Sequence, residues 1–482
     1  MEGLFSLLLS VSAAVIVVAY FVAVIVYRLL LHPLARFPGP KLAAATRWYE
    51  AYYDVIQGGK YEFKIAEMHK KYGYPYEIHI HDPSYYDQLY RQDGRWNKYS
   101  FAVDGFSAYT ATICTVDHDV HRARRQSLNP FFSKSKVYGK QRIIRENVRK
   151  LCYRLAKFAD SGETVNIGAA ISALTRDVST TFILGLNYNS LDRKDFDVGM
   201  TNVFKGSGGI WRLTKHVPWF GPTMKRIPVE WIMKTADEDM KSFFLYLQKD
   251  NGPRTIVHEI LDSNLAPSEK SFQRIFEDVS TVTAAGFETV ASILRLIVFH
   301  VFDNPRMLQQ LRVELTSAAA NSDDGIDLKT LEQLPYLTAV LKEGMRMSPA
   351  TASRGARVAP DRDTFYREWR IPAGTPVSMT SIMLHADESQ FPEPLRFNPD
   401  RWMDSSSGDR FYAPFSKGTR NCLGQHFAWA EMYIATAELV RRFDFQFQGS
   451  TAEDFLFHSD QFTIGTKGKG ILNARITFAS EL

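Results

Sequence analysis

The stretch Phe415–Gly424 reads FSKGTRNCLG and sets Cys422 in a glycine-flanked loop, just ahead of a run that reads as a long helix. A thiolate that ligates a metal has to project from a turn. It needs backbone N–H groups nearby and gains from a helix N-terminus behind it. Gly418 and Gly424 suit tight turns and close approach to a flat partner. The sequence LGQHFAWAEMYIATAELVRRF after Cys422 would place the sulfur at the positive end of a helix. Arg420 is spaced to pair with an anionic cofactor group, and Phe415 to pack near the sulfur. The same residues also suit a buried, inert cysteine. The two other cysteines, Cys114 and Cys152, make no CxxC pair with it. This argues against zinc and against a disulfide framework, and fits a reducing compartment.

Three further stretches carry residues able to act. In LKEGMRMSP, Glu343 and Arg346 lie three apart on one helix face, which on a surface is worth a few tenths of a kcal/mol. In TAAGFETV (283–290), Gly286 falls within a helical run, where glycine costs roughly 1 kcal/mol against alanine, so something must approach the backbone there. The stretch DHDVHRARRQSLNPFFSK (117–134) is unusually basic, and by itself reads equally well as a solvated helix face.

The spacing F-x-x-G-x-R-x-C-x-G is met in full, and it resembles the haem-binding loop of the cytochrome P450 family. The resemblance runs over about residues 30–480. It implies that Cys422 binds the iron of haem b, with Gly286, Phe415 and Arg420 also at the cofactor. It makes Arg401, in FNPDRW, the second arginine of a structural Glu343–Arg346–Arg401 network behind the haem loop. It makes Gly286 the residue that leaves room for dioxygen, Thr289 a hydrogen-bond donor to its distal atom and Glu288 a link in a proton relay. His121, Arg125 and Arg357 are then partners of the haem propionates with Arg420; His121 stands where the family more often has tryptophan. The finer likeness is to membrane-anchored fungal members of secondary metabolism, of the trichodiene-oxygenase type.

The elements that must hold these residues read as mostly helical with small β-sheets, the fold of that family, in one large domain over 43–482. A helix is expected from about Ser271 to Phe302 and another from Pro335 to Met347, with Pro335 in the first turn. Strand patterns are short: YEIHIH (76–81), TPVSMTSIM (375–383) and ILNARITFA (471–479). Residues 3–27 carry no charge and are long enough to cross a bilayer core of roughly 30 Å, so 1–27 reads as a single-pass anchor rather than a cleaved signal. Arg28, Arg36 and Lys41 follow it, which by the positive-inside rule leaves the remainder cytosolic. Residues 28–42, with Pro33, Pro38, Gly39 and Pro40, form a stiff linker.

The net charge of +5 contains no long basic block, which excludes a nucleic-acid-binding tail. The resemblance implies a monooxygenase of the endoplasmic reticulum membrane. It would insert one oxygen atom into a lipophilic small molecule by hydroxylation or epoxidation, in terpenoid or polyketide-type biosynthesis. Electrons would come from an NADPH-cytochrome P450 reductase, with cytochrome b5 as a further donor, onto a face made positive by Lys417, Arg122, Arg124 and Lys134. Substrate would meet Phe101, Phe106, Tyr109, Phe204, Trp211, Ala284, Phe287, the Ala350–Ser353 stretch with Thr351, and Gln461–Phe462. The rival readings are a haem-thiolate isomerase or dehydratase working without external electrons, which the Glu288–Thr289 pair disfavours, and a haem sensor, which would carry an output domain.

Overall fold

The computed structural model describes residues 2–70, 77–217, 219–220, 223, 254–319, 325–403 and 410–480, with side chains from residue 10 onward. Its centre is the helix Phe272–Phe302, 31 residues long and buried along most of one side. That length follows from an apolar run without proline that ends where Asn304-Pro305 cannot continue it. The expected start and end hold, with Ser271 as the N-terminal flank.

Around this central helix pack Ile167–Leu184, Pro335–Met347 and the ligand helix Gln425–Arg442. Ile167–Leu184 is capped at its start by Asn166, whose side chain accepts from Ala169 N, and stopped by Gly185 in the left-handed region. Almost every residue of that helix is buried, which is why its sequence IGAAISALTRDVSTTFIL is apolar or small all round. The roof helix Val198–His216 crosses above it.

The β structure is small. One sheet joins Ile78–His79, Pro376–Ser378, Arg357–Val358 and Asn97–Lys98 in that order; the first pair is parallel and the others antiparallel. Asn473–Phe478 pairs with Phe443–Phe447 and Val165–Asn166 as expected for the C-terminal strand. Two strand readings are too long. Tyr76 lies outside the described residues, and only Ile78–His79 of its stretch is paired. In 375–383 the strand stops at Ser378 and Ser381–His385 is helical. The Tyr90 hydroxyl donates to Met379 O (3.0 Å) and accepts from Met379 N (3.1 Å), and so takes the place of a neighbouring strand.

The N-terminus is a helix, Glu2–Val26, followed by a π-turn, Tyr27–Leu31. Ser10–Leu31 is long and apolar enough to cross a membrane and is not buried in the protein. The central helix passes the same length test, but most of it lies in the core.

Candidate active site

The loop before the ligand helix is shaped by glycine where the backbone requires it. Gly418 has φ +75°, and a Cβ there would run into Arg91 O, so a larger residue would displace the loop. Cys422 N donates to Phe415 O (2.9 Å), which closes the turn and aims the sulfur ahead of Gln425–Arg442. Gly424 flanks that helix with open space where a side chain would stand. The Phe415 ring packs toward Trp429, at 6.4 Å.

Cys422 is exposed by surface area, whereas Phe427, Ala428 and Ala430 just beyond it are buried. The central helix shows the same signature at its midpoint. Ala285 is exposed while Thr283, Phe287 and Val290 around it are buried. The central and ligand helices pack together, and Cys422 and Ala285 each open onto space that the protein leaves unfilled, which we read as a cleft beside the cysteine loop. Burial pushes the Cys422 thiol up, while the Gly424 N–H and Arg125 work the other way.

Five basic groups gather beside this loop, and their hydrogen bonds go to neutral partners. Arg420 donates to Thr115 O (2.7 Å), Val116 O (2.8 Å) and Asp117 O (3.0 Å), and its buried Nε has no acceptor among the described residues. Arg125 donates to Asn421 O (2.5 Å) and Asn421 Oδ1 (2.9 Å). Arg357 donates to Gly355 O (2.9 Å). Lys98 donates to Ile113 O. His121 is buried among them, one turn before Arg125 on the helix His118–Leu128. Asp117 starts that helix by accepting from Asp119 N and Val120 N.

Burial lowers all five of these groups, and repulsion from the neighbouring cations adds to it for three of them: Arg420 to about 9, Lys98 to about 7 and His121 to about 2. A buried positive centre with neutral partners and an orphaned guanidinium N–H fits a dianionic group, and the two propionates of a haem are one. His121, Arg125, Arg357 and Arg420 thus come together as expected. Lys98 joins them unannounced, because WNKYS carries no local signal for it.

Behind the loop, Glu343 is fully buried. It accepts from Arg346 Nε (2.9 Å) and Nη2 (2.8 Å), from Arg401 Nε (3.2 Å), from Asn398 N (2.9 Å) and from Trp402 Nε1 (2.9 Å). The Glu–Arg–Arg network is assembled, and Trp402 is a member that the spacing did not reveal.

On the central helix, Thr289 Oγ1 donates to Ala285 O (2.7 Å) at the open face. Glu288 is turned to Arg295, 2.8 Å away, which also donates to Ser172 Oγ (2.6 Å). Burial works against the charged Glu288, but Arg295 and Lys205 outweigh it and hold the carboxyl below its usual range. The reason for Gly286 differs from expectation. A Cβ there would strike Ser179 of Ile167–Leu184, so its bare face serves helix packing, and the residue bordering the cleft is Ala285. Gly286→Ala is therefore expected to destabilise the fold by about 1–3 kcal/mol through overpacking. Adding Ser179→Ala should recover most of that loss in thermal unfolding; no recovery would show that the clash lies elsewhere.

Phe106, Trp211 and Phe462 form an aromatic cluster, with centroids 4.5 Å (Phe106–Phe462), 5.6 Å (Trp211–Phe462) and 6.1 Å (Phe106–Trp211) apart. Phe204 meets Phe287 edge to face at 4.9 Å. Thr351 bridges to Thr463, and Ala284 is half-buried next to Ala285. Phe101 sits elsewhere, between Arg47 (4.1 Å) and His216 (5.4 Å), and Tyr109 is partly exposed on its loop. Of the basic face, Arg124 is taken up by Glu269 at 2.6 Å and is structural rather than available. Lys134 and Lys417 are paired with Glu332 and Asp87, and Arg122 is exposed.

A mostly helical protein that turns one thiolate toward a cleft flanked by buried cations is built to hold haem through sulfur. The chain belongs to the cytochrome P450 family, whose model matches residues 60–472. Among similar proteins are three fungal cytochrome P450 monooxygenases. The tpcC protein of Cochliobolus heterostrophus is 39% identical over 89% of this chain and 87% of its own length. TRI4 of Fusarium sporotrichioides is 36% identical over 92% and 91%. MO6277 of Ascocoryne sarcoides is 35% identical over 90% and 91%. The chain is a P450 monooxygenase with haem b as cofactor.

Proposed function

We propose that this enzyme hydroxylates or epoxidises a lipophilic small molecule of terpenoid or polyketide type. One atom of dioxygen enters the product and the other leaves as water, with two electrons from NADPH passed on by a membrane-bound reductase and two protons taken up from solvent. The observation that carries the reading is the aromatic cluster of Phe106, Trp211 and Phe462, whose one polar handle, Trp211 Nε1, is already spent on Ala102 O at 3.1 Å. Such a wall offers a substrate shape and apolar contact rather than hydrogen bonds.

When bound, haem supplies the one-electron and dioxygen chemistry. Cys422 would ligate its iron, and Arg125, Arg357, Arg420, Lys98 and His121 would hold its propionates. Thr289 keeps a proton at Oγ1 on the open face of the central helix, where it can turn from Ala285 O toward a ligand. Glu288, ionised beside Arg295, orders the polar groups on the adjacent face. Residues 1–27 anchor the chain in the endoplasmic reticulum, 28–42 link it, and 43–482 form the cytosolic catalytic domain.

The deciding experiment compares metabolites of a host with and without this protein, followed by turnover of the responding compound with NADPH and reductase. Product should depend on both. Thr289→Val should lower product formed per NADPH oxidised while leaving the haem spectrum intact. Full turnover without NADPH and reductase would instead establish an isomerase or dehydratase.

A further inference from the structure

Residues 105–111, which carry Phe106, are neither helix nor strand, so their buried backbone N–H groups need acceptors from elsewhere. Two adjacent acids on the central helix supply them at the end of this stretch. Glu277 Oε2 accepts from Thr110 N (2.7 Å) and from Thr110 Oγ1 (2.6 Å). Asp278 accepts from Thr112 N at Oδ1 (2.5 Å) and from Thr112 Oγ1 at Oδ2 (3.0 Å). Both acids are buried, at 6% and 0% exposed, which a carboxylate tolerates when it is well paired.

Each threonine is therefore gripped at two points by one carboxylate, which fixes the orientation of the chain as well as its distance. Cations complete the hold. Arg274, one turn before Asp278, is paired with it and donates to Thr112 Oγ1 at 3.2 Å. Arg124, from the helix His118–Leu128, donates to Thr110 O (3.0 Å) and to Thr115 Oγ1 (2.8 Å). Glu269 joins the two guanidiniums, 2.6 Å from Arg124 and 2.9 Å from Arg274. Gln273 Nε2 donates to the other Glu277 oxygen at 2.7 Å.

Phe106 stands between this clamp and two ties from the roof helix, where Trp211 Nε1 donates to Ala102 O and Thr214 Oγ1 to Gly105 O (2.6 Å). One end of its loop is held by the roof and the other by the first turns of the central helix. We propose that Glu277, with Asp278 beside it, is a positioning residue that sets the specificity of the oxidation by holding Phe106 in the substrate wall. The inference rests on the reading of Phe106, Trp211 and Phe462 as that wall. Ordering an irregular segment is entropically costly, and an aromatic wall presents one shape when that cost is met before the ligand arrives.

The same stretch runs on toward the cofactor. Thr115, Val116 and Asp117 provide the carbonyls to which Arg420 donates. An effect on the wall has to be separated from an effect on the haem edge, and the choice of probe does this.

The test uses the full-length holoenzyme and two azoles that bind haem iron, each titrated by its Soret shift. Imidazole touches little beyond the iron, whereas clotrimazole carries three aryl rings that reach the wall. Glu277→Ala is expected to weaken clotrimazole about tenfold, the loss from a wall no longer preorganised, and to leave imidazole within about twofold. Its reduced carbon monoxide spectrum should match the wild type. Glu277→Gln, which keeps a carbonyl oxygen for Thr110, should retain the clotrimazole affinity, a rescue that supports the clamp. Phe106→Ala is the control for the wall itself. If Phe106→Ala weakens clotrimazole and Glu277→Ala does not, the inference is overturned and the wall stands. If Phe106→Ala leaves clotrimazole unchanged, the wall reading fails and the inference falls with it. Equal weakening of both azoles by Glu277→Ala would assign the acid to the haem edge and overturn the proposal as well. Should Glu277→Ala not fold, Thr110→Val, which removes one of the two Glu277 contacts from the loop side, decides by the same comparison: a selective loss of about threefold for clotrimazole supports the clamp, and no loss refutes it.

Discussion

Holoprotein reduced and treated with carbon monoxide will show the red-shifted Soret band of thiolate ligation, and Cys422→Ala will abolish both that band and turnover. Cys422 is the one cysteine of the three that is not buried: Cys114 and Cys152 are enclosed, and burial pushes both thiols up to about 12. Neither has the glycine-shaped turn or the helix start that Cys422 has, so neither can take over as the axial ligand. The sulfur's electron donation is what favours cleavage of the O–O bond, so no residual monooxygenase activity should survive its loss. A band that persisted in the variant would move the iron to another ligand and undo the assignment.

Glu343→Gln should destabilise the folded domain by about 3–5 kcal/mol, because it removes the charge that answers the Arg346 and Arg401 guanidiniums in a buried setting. The two carboxylate oxygens accept five hydrogen bonds, from Arg346, Arg401, Asn398 and Trp402. A glutamine would turn an NH2 toward donors, leaving at least one of them unpaired. Arg346 is 2% exposed and has no route to water. Thermal and urea unfolding of the haem-loaded protein measure the effect, with the carbon monoxide spectrum reporting collapse of the cysteine loop. An unchanged midpoint in both would mean that the network is dispensable and that the loop is held by other contacts.

What could be read from the sequence was what depends on neighbours along the chain. The Cys422 loop is a local pattern of glycine, arginine and cysteine. The bounds of Phe272–Phe302 and Pro335–Met347 follow from proline positions and apolar periodicity. Features set by distant partners were not legible. Arg124 looked like part of a basic face, but Glu269 lies against it from 145 residues away. Gly286 looked like room for a ligand, but Ser179 on another helix fills that side. Lys98 and Trp402 join their clusters through tertiary packing alone. The acids of 41–56 give no sign in sequence that they point inward, because Lys215, His216 and Arg354 come from far along the chain.

The aromatic wall is assembled from three separate stretches: the 105–111 loop gives Phe106, the roof helix gives Trp211 and the turn at 462 gives Phe462. Their supports differ as well, since Trp211 is tied to Ala102 while Phe462 N donates to Asp460 at 2.8 Å. None of these ties involves Glu343 or its arginines. If the cluster meets substrate as proposed, evolution can reshape one side of it at a time, and so shift which molecule is oxidised, while the Glu343 network behind the cysteine loop is left untouched.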